Sequence, residues 1–215
     1  MVFAAGFGKR LQHYTQDTPK TLLKVKGKYL IDIILERLLE YGVEKVAVNC
    51  HYQAQCIIDH LQNYPQVIIS HEKELLDTGG GLSKVLSILG NEPLITVNGD
   101  TIWYESDLLQ KLTLLWEKGT NLAMTFYPAS KMLNYSGEFT ILPNNQVLQS
   151  ADGQYVYAGI QIINPDLLHN IKKKKFSLSE LYDLLFSKGE EKVYGLNYTG
   201  QIFHIGTPKE LALAQ

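Results

Sequence analysis

The chain opens Met1-Val2-Phe3-Ala4-Ala5-Gly6-Phe7-Gly8-Lys9-Arg10. An apolar run breaks at a glycine, repeats a glycine two positions on, and then presents two adjacent cations. Short continuous apolar runs of this kind are typical of strands buried on both faces of a parallel sheet. The pattern recurs at residues 45–49 (KVAVN), 67–70 and 93–98 (PLITVN). Between these strands, residues 30–41 carry Ile31, Ile34, Leu35, Leu38 and Leu39 at helical spacing, and Gly42 supplies a C-cap. Residues 53–61 and 80–89 predict two more helices. Strands alternating with helices imply βαβ units: an α/β fold with a mostly parallel sheet and helices on both faces.

The second half is less regular. A helix is predicted over 107–118 and a strand over 122–127. Strand-like pieces follow at 137–142, 146–149 and 155–163, the first two joined by a Pro143-Asn144-Asn145 turn. Residues 178–187 predict a helix, 192–198 and 201–205 predict strands, and Pro208 starts a last helix. Extra antiparallel strands are therefore expected in the C-terminal half. No repeat or linker interrupts the chain, so residues 1–215 form one domain.

Composition narrows the function classes. The chain has 215 residues, is 45% hydrophobic and carries 20 Lys and Arg against 22 Asp and Glu. That balance excludes a generally basic nucleic-acid binder. The charge is uneven, however. Residues 1–28 hold Lys9, Arg10, Lys20, Lys24, Lys26 and Lys28 against the single Asp17, a local field that suits a small anionic ligand. Two cysteines, Cys50 and Cys56, make no disulfide framework and suit reduced thiols in the cytoplasm. No apolar run approaches the roughly 20 residues of a membrane helix, and the opening stretch is too short for a signal peptide. The four lysines of 172–175 read as a solvated loop.

Five segments carry chemistry. Ala5, Gly6 and Gly8 follow a strand, where backbone N–H groups can approach a phosphate, and Lys9 and Arg10 stand in the same loop to neutralise it. Leu11 at the third glycine position excludes a dinucleotide fingerprint, and no Walker A loop is present. Pro19 stiffens the backbone before Lys20, although a plain exposed lysine after a turn has the same sequence. Thr78-Gly79-Gly80-Gly81 places costly glycines ahead of a helix. A nucleobase packed on Thr78, Gly79 and Gly80 would explain them; a flexible cap led by Thr78 is the alternative. Asn98-Gly99-Asp100 ends a buried strand, where parallel sheets line a ligand crevice and a carboxylate suits Mg2+ beside phosphates. An ordinary turn would use the same residues. His204, at another strand-to-helix junction, is a core histidine by composition and a site residue by position.

In this order the segments resemble the sugar-1-phosphate nucleotidyltransferase family. Its Leu-Ala-Ala-Gly-x-Gly-x-Arg loop, Pro-Lys, Thr-Gly-Gly-Gly, Gly-Asp and Gly-Thr-Pro elements stand here as residues 3–10, Pro19-Lys20, residues 78–81, Gly99-Asp100 and residues 206–208. The Asp-Thr-Gly-Gly-Gly form and short length look most like bacterial N-acetylmuramate-1-phosphate uridylyltransferases, with mannose-1-phosphate guanylyltransferase-like members close behind. The resemblance implies a single Rossmann-like, GT-A-like domain, with residues 1–120 binding nucleotide and 121–215 binding sugar phosphate. It implies transfer of a nucleotidyl group from a nucleoside triphosphate, UTP before GTP, to a sugar 1-phosphate, making a cell-wall precursor. Arg10, Lys20 and Asp100 would be catalytic, with Asp100 on Mg2+. Ala5, Gly6, Gly8, Lys9, Thr78, Gly79, Gly80 and Asn98 would bind the nucleotide. Glu138, Tyr157, Gly159 and His204 would bind the sugar phosphate. The expected partners are the two substrates, with no nucleic acid and no membrane, in a cytoplasmic monomer or homodimer.

The sequence departs from the family at three places. Many members carry a second aspartate where His204 stands, and Mg2+ prefers oxygen ligands. That replacement leaves open a nucleotide-sugar-binding regulatory homologue. No Glu-Lys-Pro segment occurs near residues 150–153, so the sugar is not assigned. The family's first strand begins a few residues ahead of the position of Met1.

Overall fold

Val2 is buried between Val48 on one side and Val97 on the other, and both pairings are parallel. The run that opens the chain is thus a central strand, which is why every residue from Met1 to Ala5 is apolar. The structure is a computed structural model that describes residues 1–116, 120–133, 135–169, 171–189 and 192–215. In chain order its strands and helices are β1 (Val2–Phe3), β2 (Lys24–Val25), β3 (Lys28–Tyr29), α1 (Leu30–Glu40), β4 (Val46–Cys50), α2 (Ala54–Leu61), β5 (Val67–His71), α3 (Asp77–Leu89), β6 (Leu94–Asn98) and β7 (Thr101–Trp103). There follow α4 (Leu108–Leu114), β8 (Leu122–Pro128), β9 (Phe139–Ile141), β10 (Val147–Gln149), β11 (Tyr155–Ile163), α5 (Leu178–Ser187), β12 (Val193–Asn197), β13 (Ile202–His204) and α6 (Pro208–Ala214).

The N-terminal half builds the parallel block β5-β4-β1-β6. The long β11 then runs antiparallel to β6 and hands the sheet on to β8 and β9. Two layers of helix cover it. Leu35 on α1, Ile57 on α2, Leu112 on α4 and Leu211 on α6 pack with Val48 and Val97 on one face. Leu82 on α3 and Leu181 on α5 pack with Ala47 and Met124 on the other. Burial of both faces explains the continuous apolar runs of the central strands.

Most expected elements are present, and the differences are physical. The helix predicted from Gly80 begins at Asp77, so Gly79, Gly80 and Gly81 lie inside α3. Protein atoms, not a loop, require them. A Cβ on Gly79 would come within 2.2 Å of the Phe176 ring, one on Gly80 within 2.3 Å of the Lys174 carbonyl oxygen, and one on Gly81 within 2.8 Å of Asn49 and Glu72. The helix predicted over 107–118 ends at Leu114, and residues 117–118 lie outside the described residues. The polar stretch after Gly8, Lys9–Thr15, is two short 3-10 turns joined by a kink at Gln12 and anchored by fully buried Leu11. Cys50 is buried, Cys56 exposed, and both are free. The lysine run is exposed as expected, with Lys173 paired to Glu180 and Lys174 to Glu74. Among the described residues no helix is long and apolar enough to cross a membrane.

Candidate active site

The parallel strands β1, β4, β5 and β6 end at one edge of the sheet, where an open α/β sheet receives ligands. A cleft of about 310 Å³ opens there. One wall is the end of β1 and its loop: Phe3, Ala4, Ala5, Gly6 and Gly8. The facing wall is Leu75, Asp77 and Thr78, at the start of α3. The floor carries Asn49, Asn98 and Asp100, and Lys20 closes one end. Beyond Lys20 a second basin of about 280 Å³ is lined by Phe7, Gly8, Lys9, Arg10 and Gly206. Lys20 lines both basins, which makes the site two connected chambers with a cation between them.

Local structure fixes each part. Pro19 is extended and leads into a single 3-10 turn, Lys20–Leu22, so the lysine leaves the backbone at a defined point. Gly99 donates its N–H to the Phe3 carbonyl, which seats Asp100 beside β1. After Asp100 the chain enters β7, which pairs with β13 so that His204 stands opposite Thr101. Ile205 N–H donates to the Asp100 carbonyl at 2.7 Å. Residues 80 and 104 positions from Asp100 are thereby brought to it. Lys20 Nζ donates to Asp100 Oδ2, and His204 Nε2 lies 3.7 Å from the same oxygen. The Lys20 and Asp100 side chains are only 15% and 17% exposed. Burial pushes the Asp100 carboxyl upward, but the Lys20 ammonium and then His204 outweigh it and hold the group below its ordinary value.

Gly159 joins this side of the site. It breaks the register of β11 against β8 and takes a left-handed conformation, φ 81°. A Cβ there would lie 2.8 Å from both Asn98 Nδ2 and Thr101 Oγ1. In the second basin, Arg10 Nη2, Glu210 Oε2 and His204 Nε2 converge on Gly206, each 3.0 Å from where its Cβ would stand. Tyr135 completes the group: its ring meets His204 edge-on at 5.6 Å, and its hydroxyl lies near enough to Arg10 to feel the guanidinium charge. Glu210 accepts from Gly206 N–H and the Thr207 hydroxyl, the Thr207 hydroxyl accepts from Glu210 N–H and caps α6, and Arg10 is exposed to the basin.

The structure thus brings together Ala5, Gly6, Gly8, Lys9, Arg10, Lys20, Thr78, Asn98, Asp100, Gly159 and His204. It does not bring in every expected residue. Gly79 and Gly80 give their N–H groups to the Phe176 carbonyl and pack behind the cleft. Thr78 lines the cleft, but its hydroxyl accepts from Leu178 N–H, the first of α5, so it ties α5 to α3 and does not cap α3. Tyr157 stands between Phe126 and Tyr182 in the second core. Glu138 lines a separate groove with Gln149 and Asp183. Asn49, Tyr135 and Glu210 were not legible as site residues, and Asp77 only as the first residue of the Asp-Thr-Gly-Gly-Gly form. Only for Asn49, at the end of a buried strand, did the sequence carry a signal comparable to that of Asn98.

The donor set suits a hard cation in one way only. Asp100 offers one carboxylate, and Mg2+ characteristically takes one or two carboxylates with substrate phosphates and water. Among the described residues no three His, Cys, Asp or Glu side chains gather into an all-protein cage.

The whole chain is similar to known proteins. Residues 1–168 match the family described as MobA-like NTP transferase domain. The chain is 31% identical over 230 residues to the N-acetylmuramate alpha-1-phosphate uridylyltransferase of Caulobacter vibrioides, spanning 100% of this chain and 94% of that protein. It is 27% identical over 227 residues to the mannose-1-phosphate guanylyltransferase catalytic subunit beta of Dictyostelium discoideum, spanning 98% of this chain and 61% of that protein. In fold it is similar to HddC from Yersinia pseudotuberculosis, with TM-score 0.81, 23% identity, and coverage of 99% of this chain and 96% of that one.

Proposed function

The chain belongs to the MobA-like NTP transferase domain family and within it to the sugar-1-phosphate nucleotidyltransferases, and from that membership we propose that it joins UTP to N-acetylmuramate 1-phosphate. The products are the UDP-sugar and pyrophosphate. The observation that carries this reading is the Lys20–Asp100 pair at the junction of two chambers. The first chamber takes the nucleoside between the Ala5–Gly6 wall and the Leu75–Thr78 wall. The second, lined by Lys9, Arg10 and Lys20, takes the β and γ phosphates.

In the reaction an oxygen of the sugar phosphate attacks the α-phosphorus in line. The bond from that phosphorus to the bridging oxygen of the β-phosphate breaks, and the electron pair leaves with pyrophosphate. No covalent enzyme intermediate forms, so positioning and charge neutralisation supply the catalysis. Lys20 holds the α-phosphate or the incoming sugar phosphate. Arg10, exposed in the second chamber, meets the charge that grows on pyrophosphate. Asp100 is the residue that would hold Mg2+, which when bound neutralises phosphate oxygens. Asn98 serves the nucleotide from the floor of the first chamber, and Gly159 and His204 face the sugar-phosphate side. These assignments accord with a nucleotide half, 1–120, and a sugar-phosphate half, 121–215, except that Lys20 serves both.

The similarity to the uridylyltransferase extends over nearly all of that protein, which favours the uridine substrate. A second reading, GTP with mannose 1-phosphate, is supported by the guanylyltransferase similarity. A matrix of four nucleoside triphosphates against several sugar 1-phosphates, scored by pyrophosphate release, separates them. Release with UTP and N-acetylmuramate 1-phosphate alone supports the first reading. Release only with GTP and mannose 1-phosphate supports the second.

A further inference from the structure

Two buried polar side chains lie under the nucleotide cleft. Asn49, at the end of β4, is 2% exposed, and Glu72, just past β5, is 1% exposed. Asn49 Oδ1 accepts from Ala4 N–H at 2.8 Å, and Asn49 Nδ2 donates to Glu72 Oε1 at 2.7 Å. Glu72 Oε2 accepts from Leu76 N–H at 2.9 Å. The four groups form one chain: Ala4 N–H, Asn49 amide, Glu72 carboxyl, Leu76 N–H. Its ends are the two facing walls of the cleft, and His51 Nδ1 steadies the middle through the Glu72 carbonyl at 2.8 Å. Gly81 leaves the room this bridge occupies, since a Cβ there would lie 2.8 Å from both Asn49 Nδ2 and Glu72 Oε1.

We infer that Asn49 and Glu72 are positioning residues that set the spacing and orientation of the two walls which grip the nucleoside. This rests on the reading of the cleft as the nucleotide site. The pair touches no phosphate-binding cation, so its effect is confined to the nucleoside end. Buried side chains of this kind are costly unless their polar atoms are matched, and here Asn49 Oδ1 and Glu72 Oε2 are each matched to a cleft wall while Asn49 Nδ2 and Glu72 Oε1 are matched to each other. Glu72 is a buried acidic group whose partners are an amide and a main-chain N–H, so ion pairing does not explain its presence.

The polarity of the bridge permits a sharp test. Glu72→Gln cannot accept from both Asn49 and Leu76, and Asn49→Asp sets two carboxyl groups face to face. The double variant Asn49→Asp/Glu72→Gln restores every link: Ala4 N–H to Asp, Gln amide to Asp, and Leu76 N–H to the Gln carbonyl. Calorimetric titration of wild type, both single variants and the double variant would use UTP, and separately inorganic pyrophosphate, each with Mg2+. Each single variant should bind UTP roughly 10- to 100-fold more weakly, the scale of a misplaced binding wall. Pyrophosphate affinity should stay within about threefold, and the double variant should regain most of the UTP loss. Single variants that bind UTP as wild type does would overturn the inference. So would equal losses for UTP and pyrophosphate, which mark a purely structural role, or a double variant no better than the singles. If neither single variant folds, the double variant must fold and bind UTP, and its failure also overturns the inference. A wild type that binds pyrophosphate but no nucleoside triphosphate removes the reading of the cleft itself, and the inference with it.

Discussion

The Lys20 ammonium donates to the Asp100 carboxylate across 80 residues of sequence, and the pair separates the two chambers of the site. Burial alone would raise the Asp100 carboxyl. Lys20, with a smaller contribution from His204, holds it below its ordinary value of 3.8. A carboxyl held low binds fewer protons in the folded state than in the unfolded state. Its contribution to stability is therefore present above the unfolded value and lost as pH falls through the folded one. Lys20→Met should lower the melting temperature at neutral pH, with the gap to wild type closing below about pH 4. A gap of the same size at neutral and acid pH would show that the pair does not stabilise the fold.

Arg10 is exposed in the second chamber, beside Tyr135 and the Gly206 turn. Arg10→Ala should leave the melting temperature unchanged and lower kcat on the order of 10²–10³, the cost of one preorganised donor to developing charge. The KM for sugar phosphate should move little. A large rise in that KM with kcat preserved would place Arg10 on the sugar phosphate instead.

His204 Nε2 is buried with no hydrogen-bond partner among the described residues, 3.7 Å from Asp100. Such an atom costs stability unless a ligand supplies its partner. His204→Ala should lower kcat about tenfold, the scale of one lost hydrogen bond in a site, with a small effect on melting. His204→Asp sets a second carboxylate beside Asp100 and should retain turnover while lowering the Mg2+ concentration needed for half-maximal rate. An active alanine variant beside an inactive aspartate variant would show that the site rejects a second acid there.

Gly79 packs against the Phe176 ring, and the N–H groups of Gly79 and Gly80 both donate to the Phe176 carbonyl, at 3.0 and 3.1 Å. Gly79→Ala forces that contact apart and should destabilise by about 1–3 kcal/mol, the usual range for overpacking. Phe176→Leu makes room, so the double variant should be less destabilised than the sum of the single changes. Strict additivity, measured by urea unfolding, would show that Phe176 is not what Gly79 accommodates.

The legible parts of the molecule were those set by local pattern. The buried strands 93–98 and 45–49, the helix from Leu30, and the turn carrying Asp100 all follow from runs and periods of a few residues. Long-range pairing was not legible. Nothing in the sequence around His204 shows that β13 pairs with β7, yet that pairing alone carries it to Asp100. The glycines of 79–81 suggested backbone left bare for a ligand, whereas Phe176, Lys174, Asn49 and Glu72 fill the space. Asn49 and Glu72 are separated by a helix and a strand in sequence, so their bridge is visible only once β4 and β5 are laid side by side. Tyr157 and Glu138 came from resemblance, and here the sheet directs them to the second core and to another groove.

The most direct test is phosphorus NMR of the protein incubated with Mg2+, UTP and N-acetylmuramate 1-phosphate. The expected result is loss of the triphosphate and sugar-phosphate signals together, with the UDP-sugar diphosphate and free pyrophosphate appearing in equal amounts. Unchanged UTP, while GTP and mannose 1-phosphate react, would contradict the assigned substrates. Unchanged spectra for every pair tried, or UTP split to UMP and pyrophosphate without consumption of any sugar phosphate, would contradict the transfer reaction itself.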